Sequence, residues 1–258
     1  MVVVGVLSGK GGVGKTTIVT NLATVLSSFY GRKVLVIDCN PGSSHVRLHF
    51  GIESADKTFL DLVNGNSLQD VLKSHYETGT EIIIAPLKTD ERVFERMKRL
   101  KRIVKKMAFS NYDFVILDGA PGFGEEVKTV IKASDKVLVV TTPHRTSVED
   151  AKKLVNLCKK LKKKEVYVVV NRVRNKGFEL DFWEIRREVG IPICVVIPED
   201  DEVQKALKEG IPVISYNKNS LASIAFRKLG SLLLSSYYQL SLREKLKLMF
   251  HGYLKFFE

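Results

Sequence analysis

The sequence predicts an α/β fold in which a doubly wound, mostly parallel sheet carries helices on both faces. Three observations lead to this fold class. Short apolar segments recur along the chain with helical patterns between them, a glycine-rich loop follows the first segment, and acidic or amide residues stand where several segments end. Strands that are apolar along their length are typical of sheets covered on both faces.

Seven of these apolar segments are predicted as strands. They are Val2–Leu7, Lys33–Asp38, Glu81–Ala85, Phe114–Asp118, Lys136–Thr141, Val166–Asn171 and Ile193–Ile197. Ligands of doubly wound sheets bind at the carboxyl ends of the strands. We therefore look for functional residues just after each segment.

The loop after the first strand has the pattern of a phosphate-binding loop. It reads Ser8-Gly9-Lys10-Gly11-Gly12-Val13-Gly14-Lys15-Thr16-Thr17. Glycines let the backbone wrap phosphates closely, and the helix predicted over 18–29 directs its N-terminal N–H groups at the same anion. We expect Lys15 to reach the β and γ oxygens of a triphosphate and the Thr16 hydroxyl to bind Mg²⁺.

Lys10 makes the motif more specific, because the plain pattern does not require a lysine there. The run Lys-Gly-Gly-Val-Gly-Lys-Thr at 10–16 resembles the deviant phosphate loop of the MinD/ParA family of ATPases, above all its archaeal MinD-like members. The resemblance covers residues 1 to about 235. It implies that ATP and Mg²⁺ bind at Gly9–Thr17 and that ATP drives formation of a homodimer. It also implies that Lys10 reaches the partner's nucleotide.

Two strand ends supply the acidic residues that such a site needs. Asp118 follows four apolar residues and is expected to support the metal. Asp38 is expected to hold a metal-bound water or to line the path of the attacking water, although it also suits a turn. Relatives carry a second acid at the position of Asn40, and an amide cannot take a proton. We therefore expect slow or impaired hydrolysis.

The resemblance also places two residues at the base of the nucleotide. Asn171 ends the sixth predicted strand, and an amide can both donate to and accept from an adenine edge. Pro198 follows the seventh strand, where the backbone of relatives packs along the base. Asp200 suits the N-cap of a helix over Asp201–Lys208.

Composition indicates one folded unit with an excess of basic residues. The formal net charge of +12 favours an anionic partner without choosing between nucleic acid and acidic lipid. Cys39, Cys158 and Cys194 lack the paired spacing of a metal or cluster site, which fits a reducing cytoplasm. No apolar run approaches about 18 residues and no signal peptide is recognised, so a cytoplasmic protein is expected.

A long helix is predicted from about Asp90 to Phe109. Its apolar stripe is Val93, Met97, Leu100, Val104 and Met107, and the rest is almost wholly basic between Arg96 and Lys106. A solvated face is the simpler interpretation, and a patch for the DNA backbone is the alternative. A second basic run, Lys159–Lys164, suits the C-terminus of a helix.

The last segment is predicted as an amphipathic helix from Leu242 to about Phe257, some 24 Å long. Ser241 and Glu244 form a capping box. The apolar face gathers Leu242, Leu246, Met249, Phe250, Tyr253, Leu254, Phe256 and Phe257. Leu248 breaks this pattern. The arrangement suits a helix lying in an anionic membrane surface and resembles the MinD targeting helix, while packing on the core or on a dimer mate is the alternative.

Together these features predict an ATPase domain over 1–236 and a C-terminal amphipathic helix over 237–258. The expected function is a MinD-like switch that binds ATP and Mg²⁺, hydrolyses ATP slowly and dimerises. ATP then controls its attachment to the inner face of the cell membrane and the positioning of an unknown protein partner, as in cell division. The alternative is a ParA-like ATPase that binds DNA non-specifically through basic helices. An iron–sulfur carrier would need paired cysteines, and a kinase would need an acceptor site that the sequence does not show.

Overall fold

The computed structural model describes residues 1–53, 56–87, 91–107 and 110–257. The strands in these ranges are β1 (Val2–Ser8), β2 (Val34–Cys39), β3 (Lys73–His75), β4 (Thr80–Ile83), β5 (Phe114–Pro121), β6 (Lys136–Thr141), β7 (Glu165–Val173) and β8 (Ile193–Pro198). They form an eight-stranded sheet of order β3-β4-β2-β5-β1-β6-β7-β8. Every neighbouring pair is parallel except β3 with β4.

Helices cover the sheet. Those described are α1 (Lys15–Thr24), α2 (Val46–His49), α3 (Phe59–Val63), α4 (Leu68–Val71), α5 (Glu91–Met97), α6 (Leu100–Met107), α7 (Glu125–Ala133), α8 (Arg145–Lys160), α9 (Phe182–Val189), α10 (Asp201–Lys208), α11 (Val213–Tyr216), α12 (Leu221–Leu233) and α13 (Leu242–Phe250). A π-helical turn, Val25–Phe29, continues α1, and a 3₁₀ turn, Leu254–Phe256, follows α13.

The predicted fold class and all seven predicted strands are confirmed. The structure also contains β3, a polar edge strand of three residues that pairs antiparallel with β4 and that the sequence pattern does not predict. Because β3 has only three residues, it is too short to show an alternating apolar and polar pattern in the sequence. α1 begins at Lys15, three residues before the predicted start, because the phosphate loop itself feeds into the first turn.

The register of the central strands brings the predicted site residues to one edge. β5 lies between β2 and β1, and every residue of β2 is buried. Asp38 of β2 is opposite Asp118 of β5, and Asp118 is opposite Val6 of β1. The two acidic strand ends therefore meet beside the loop that follows β1.

Local capping explains several helix starts. Thr58, Ser67 and Ser241 each accept a hydrogen bond from the first turn of α3, α4 and α13, while an acidic residue three positions later bonds back to the cap N–H. Asp200 caps α10 as predicted, accepting from the Glu202 N–H at 3.1 Å.

The prediction of one continuous helix near Asp90–Phe109 is wrong. The chain forms α5 and α6, with a tight turn at Lys98 and Arg99, and both Asp90 and Phe109 lie outside the described residues. The apolar stripe is nevertheless buried throughout, from Val93 to Met107. A break at 98–99 lets both short helices keep that stripe against the core.

The prediction of a single terminal helix is also wrong. α13 ends at Phe250, and Gly252 turns the chain with a φ of +73°. Left-handed backbone of this kind favours glycine and ends helices. The turn carries Tyr253 and Phe257 into buried positions, so these residues leave the predicted outer face.

The C-terminal tail (residues 237–257) packs on the rest of the domain through contacts that the helical pattern does not predict. Leu248, which broke the expected pattern, is 0% exposed and joins the hydrophobic core. Arg227 of α12 donates to the Glu244 carboxylate, which also accepts the Tyr238 hydroxyl at 2.6 Å. Four apolar side chains of α13 still face solvent, namely Leu242, Leu246, Met249 and Phe250.

None of the helices in the described ranges combines the length and apolar character needed to cross a bilayer.

Candidate nucleotide-binding site

The loop between β1 and α1 forms one wall of a cavity of about 370 Å³. Gly12 and Gly14 adopt φ values of +77° and +92°, which only glycine takes without strain. A Cβ on Gly14 would lie 2.2 Å from the Asn171 amide nitrogen. Among the described residues no side chain caps the first turn of α1, so its N–H groups are available to an anion.

The predicted loop residues divide into two groups. Gly11, Gly12, Gly14, Lys15, Thr16 and Thr17 line the cavity. Gly9, Lys10 and Val13 do not line it. Val13 is buried under the loop, and the Lys10 side chain is exposed while its carbonyl accepts the Ser8 hydroxyl at 2.6 Å.

Lys15 is only 8% exposed. Burial lowers the pKa of this amine, and the negative charge of Asp118 partly opposes the shift. A buried cation at the start of a helix has few partners in the protein alone. Its position therefore suits an anionic ligand that enters the cavity.

Thr16 and Asp118 form the most informative contact of the site. The Thr16 hydroxyl donates to Asp118 Oδ2 at 2.7 Å. Asp118 Oδ1 is one of two buried side-chain polar atoms that lack a hydrogen-bond partner among the described residues. A buried acceptor of this kind suits a water molecule bound to a cation.

Asp38 lies across the strand pair from Asp118 and is fully hydrogen-bonded by its own loop. The Ser44 hydroxyl donates to its Oδ2 at 2.6 Å and the Asn40 N–H donates to its Oδ1 at 2.9 Å. Burial and the charge of Asp118 raise the pKa of Asp38. Burial also raises the pKa of Asp118, against the opposing effects of Thr16 and Lys15. A divalent cation would favour the ionised form of both carboxyl groups.

These residues fit Mg²⁺ that arrives with a nucleotide. No group of three or more His, Cys, Asp or Glu side chains within the described ranges could hold a metal ion by itself. Mg²⁺ typically keeps waters and substrate phosphates as ligands and uses one or two protein groups. The Thr16 hydroxyl and the free oxygen of Asp118 supply such groups.

Asn40 does not extend freely into the cavity that it lines. Its side-chain amide donates to the Ser43 carbonyl at 3.1 Å and so closes the 40–43 turn. Ser43, His45 and His49 line the same side of the cavity. Two contacts therefore hold the 40–43 turn: the Asn40 N–H donates to Asp38, and the Asn40 side-chain amide donates to the Ser43 carbonyl.

Asn171 and Pro198, which the resemblance assigns to the base, both line the cavity. The Asn171 amide donates to the Val13 carbonyl at 2.8 Å, so it also holds the phosphate loop against β7. The tertiary contact joins residues 158 positions apart, and no local sequence signal could have indicated it.

The side chains of Arg172 and Glu199, which are not among the predicted site residues, also line the cavity. Arg172 has a φ of +60°, and its guanidinium donates to the Glu199 carboxylate at 2.9 and 3.1 Å. The same guanidinium lies 3.4 Å from the Gly12 carbonyl. The sequence signal for this ion pair is the presence of opposite charges at the ends of two adjacent strands, β7 and β8.

The cysteines do not form a cluster site. Cys39 lies on β2, Cys158 on α8 and Cys194 on β8, and all three are free thiols. This placement agrees with the absence of paired cysteines in the sequence.

Comparison with known sequences identifies relatives along nearly the whole chain. An uncharacterized ATP-binding protein of Methanocaldococcus jannaschii is 31% identical over 246 residues, covering 95% of this chain and 92% of the relative. The septum site-determining protein MinD of Bacillus subtilis is 31% identical over 248 residues, covering 93% and 91% of the two chains.

A solved structure shows the same architecture. The septum site-determining protein MinD of Pyrococcus horikoshii, complexed with Mg-ADP, superposes with a TM-score of 0.80 at 25% identity. The match covers 90% of this chain and 95% of the other.

Residues 4–213 match the family described as the CobQ/CobB/MinD/ParA nucleotide binding domain. That range includes the phosphate loop, both acidic strand ends and the Asn171–Arg172 corner. The chain therefore belongs to the CobQ/CobB/MinD/ParA family of nucleotide-binding proteins, and its relatives include MinD ATPases.

Proposed function

We propose that the protein is an ATP-controlled dimerising switch, in which residues 1–236 bind ATP with Mg²⁺ and residues 237–258 attach to an anionic membrane surface. One observation carries the proposal. The tail docks on the nucleotide-binding domain through Leu248 and Tyr253, while an apolar row on α13 faces solvent. Such a row, flanked by Arg243 and Lys245, is the composition of an interfacial helix.

Within this proposal each loop residue has a defined task. The backbone from Gly9 to Thr17 binds the phosphates, and Lys15 contacts the β and γ oxygens. Thr16 and Asp118 hold the metal and its waters, and Asp38 orders the adjoining turn. The exposed Lys10 reaches the nucleotide of a second copy, so that ATP stabilises the dimer.

The base end is formed by Asn171 and Pro198, with Arg172 closing the cavity over Gly12. Hydrolysis is slow, because Asn40 can orient a water but cannot accept its proton. When held by Thr16 and Asp118, Mg²⁺ would neutralise charge on the transferring phosphoryl group. The residues of this chain position the phosphates and exclude bulk water from Lys15.

Membrane attachment follows from dimerisation. One α13 row buries little area and binds weakly, whereas two rows on one dimer bind with avidity. We place the protein at the inner face of the cell membrane, where it positions a protein partner. The relatives named as septum site-determining proteins support this type of process.

The test is sedimentation with phosphatidylglycerol vesicles in ATP, in ADP and without nucleotide. Truncation after Leu240 is unsuitable, because it removes Glu244 from Arg227 and Leu248 from the core. The better variant is Leu246→Ser with Phe250→Ser, since these side chains are 51% and 90% exposed.

The matched control carries Tyr76→Ser and Leu87→Ser, which remove exposed apolar groups near the other edge of the sheet. We expect ATP-dependent sedimentation that the α13 variant loses and the control keeps. Equal sedimentation of both variants would exclude α13 as the anchor.

A ParA-like function in DNA binding is the second candidate. Six exposed basic side chains on and before α6 support it, namely Lys98, Arg99, Lys101, Arg102, Lys105 and Lys106. Contacts with DNA phosphates predict retention that falls steeply between about 50 and 200 mM salt. Retention on DNA that requires ATP and is lost in Lys101→Glu with Lys105→Glu would favour this candidate over the membrane.

A further inference from the structure

The segment 174–183, which comprises the loop after β7 and the start of α9, presents two large aromatic side chains to solvent. Phe178 is 71% exposed and Trp183 is 69% exposed. Neither belongs to the nucleotide cavity. Exposed large apolar side chains within one short segment mark a candidate interaction surface.

The segment is held firmly although its aromatic side chains are exposed. The Glu179 carboxylate accepts the N–H groups of Arg174 and Lys176 at distances from 3.0 to 3.3 Å. The Leu180 N–H donates to the Pro143 carbonyl at 2.9 Å. Asp181 and Glu184 form a capping box at the start of α9. These bonds fix the backbone and so maintain the exposure of Phe178 and Trp183.

The same segment touches the docked tail. The Asn175 amide donates to the Gly252 carbonyl at 3.3 Å, and the Tyr253 hydroxyl donates to the Val173 carbonyl at 2.9 Å. A groove of about 910 Å³ lies between this segment and the tail. Phe182 and Trp183 line it on the α9 side, and Lys255 and Phe256 line it on the tail side. The aromatic segment and the tail therefore border one continuous surface.

The charges around this surface favour an anionic layer. Exposed basic residues near the aromatic pair are Arg174, Lys176, Arg186, Arg187 and Lys255. Glu179, Asp181 and Glu184 accept backbone N–H groups but keep their negative charges, and the exposed Glu188 is paired with Lys152. The five basic residues therefore exceed the three remaining acidic ones by two. The Arg186 guanidinium lies 5.6 Å from the centre of the Trp183 ring. Aromatic rings beside basic side chains are the composition of a protein surface at lipid headgroup level.

We propose that the membrane contact of this protein includes a second element, the 174–183 segment, whose Phe178 and Trp183 enter the headgroup layer of an anionic bilayer next to the tail. The proposal rests on the membrane attachment proposed above and extends it from α13 to the folded domain. A flat bilayer is favoured over a peptide, because the exposed aromatic and basic groups belong to two elements that lie side by side.

Trp183 is the single tryptophan of the chain, so its fluorescence reports on this segment alone. The experiment records Trp183 emission of the whole protein with ATP, with and without vesicles of equal parts phosphatidylglycerol and phosphatidylcholine. A parallel sample contains lipids brominated on their acyl chains, which quench a buried indole. We expect a shift of the emission to shorter wavelength and quenching by the brominated lipids.

The variant for the same assay is Phe178→Ser, and Tyr76→Ser is its matched control, since Tyr76 is 98% exposed and follows β3 at the opposite edge of the sheet. We expect Phe178→Ser to weaken vesicle binding by about five- to tenfold and Tyr76→Ser to leave it unchanged. Both variants change side chains that make no core contact.

The outcomes separate this inference from the proposed function. Sedimentation with vesicles while Trp183 emission stays unchanged would overturn the inference and leave attachment through α13 intact. An emission shift that ATP produces without vesicles would assign the segment to an interface between two copies and also overturn it. Absence of any vesicle binding would overturn both the inference and the proposed membrane attachment.

Discussion

The Tyr253 hydroxyl donates a buried hydrogen bond of 2.9 Å to the Val173 carbonyl, 80 residues earlier in the chain. The same carbonyl accepts the Glu199 N–H at 2.8 Å. Glu199 in turn holds the guanidinium of Arg172 over the phosphate loop. The turn of the C-terminal tail is thus joined, through one carbonyl, to Glu199 and Arg172, which line the cavity.

Leu248 anchors the tail, so Leu248→Ala should release it. Truncation of a buried leucine costs about 2–5 kcal/mol, and here the loss falls on a terminal element that can detach by itself. Hydrogen exchange of α13 amides should accelerate strongly, while exchange in β1 and β5 stays slow. Met249→Ala is the control, because Met249 is 55% exposed. Equal exchange in both variants would show that Leu248 does not hold the tail.

Lys15→Ala should weaken ATP binding about 10- to 100-fold, the equivalent of about 1.5–3 kcal/mol for a lost charge-assisted bond. Lys10→Ala should leave ATP affinity of the monomer nearly unchanged, because the Lys10 side chain is exposed outside the cavity. Its effect should appear in ATP-dependent dimerisation, measured by sedimentation velocity. Unaltered dimerisation in Lys10→Ala would remove this residue from the interface.

Asn40→Asp should raise the rate of ATP hydrolysis if the amide limits it. A carboxylate can accept a proton, but it cannot donate to the Ser43 carbonyl as the Asn40 amide does. Asn40→Ala separates the two effects, since it opens the turn without adding a base. Turnover measured by phosphate release should rise in Asn40→Asp alone. A similar rise in both variants would assign the effect to the turn.

His49 should make the folded state sensitive to acid. Burial, aided by the charge of His45, lowers the pKa of His49 to about 4 from its ordinary 6.5. In the unfolded chain the imidazole binds a proton below about pH 6.5, whereas in the folded chain it stays neutral until about pH 4. The contribution of His49 to the free energy of unfolding is therefore fully kept above about pH 6.5 and declines as the pH falls towards 4.

The measurement is urea unfolding at pH 7 and pH 4.5 for the wild type and for His49→Gln. The loss of unfolding free energy on acidification should be smaller in the variant by about 2 kcal/mol, because glutamine does not titrate. An equal loss in both proteins would mean that other groups cause the acid sensitivity.

Much of the fold and the glycine-rich loop that lines the cavity could be predicted from the sequence. The apolar strands are visible because a sheet covered on both faces needs them, and all seven appear in the structure. The loop glycines are visible because backbone N–H groups must approach phosphate closely. Thr16 and Asp118 belong to two separate sequence motifs, and the Thr16 hydroxyl lies 2.7 Å from Asp118 Oδ2.

Other features of the site depend on contacts between distant segments. Asn171 bonds to the Val13 carbonyl, and Arg172 pairs with Glu199, because β7 and β8 end beside the phosphate loop. The polar strand β3 forms through its pairing with β4. No pattern within a short window contains this information.

The C-terminal tail shows most clearly the difference between features that follow from local sequence and features that depend on tertiary contacts. The residues of the last segment are enough to predict a capped helix with many apolar side chains, because capping and periodicity are local properties. Which of those side chains face solvent depends on the folded domain against which they pack. Gly252 turns the chain, Leu248 enters the core and Tyr253 reaches Val173, since burial of each side chain depends on the surface that the folded domain offers it.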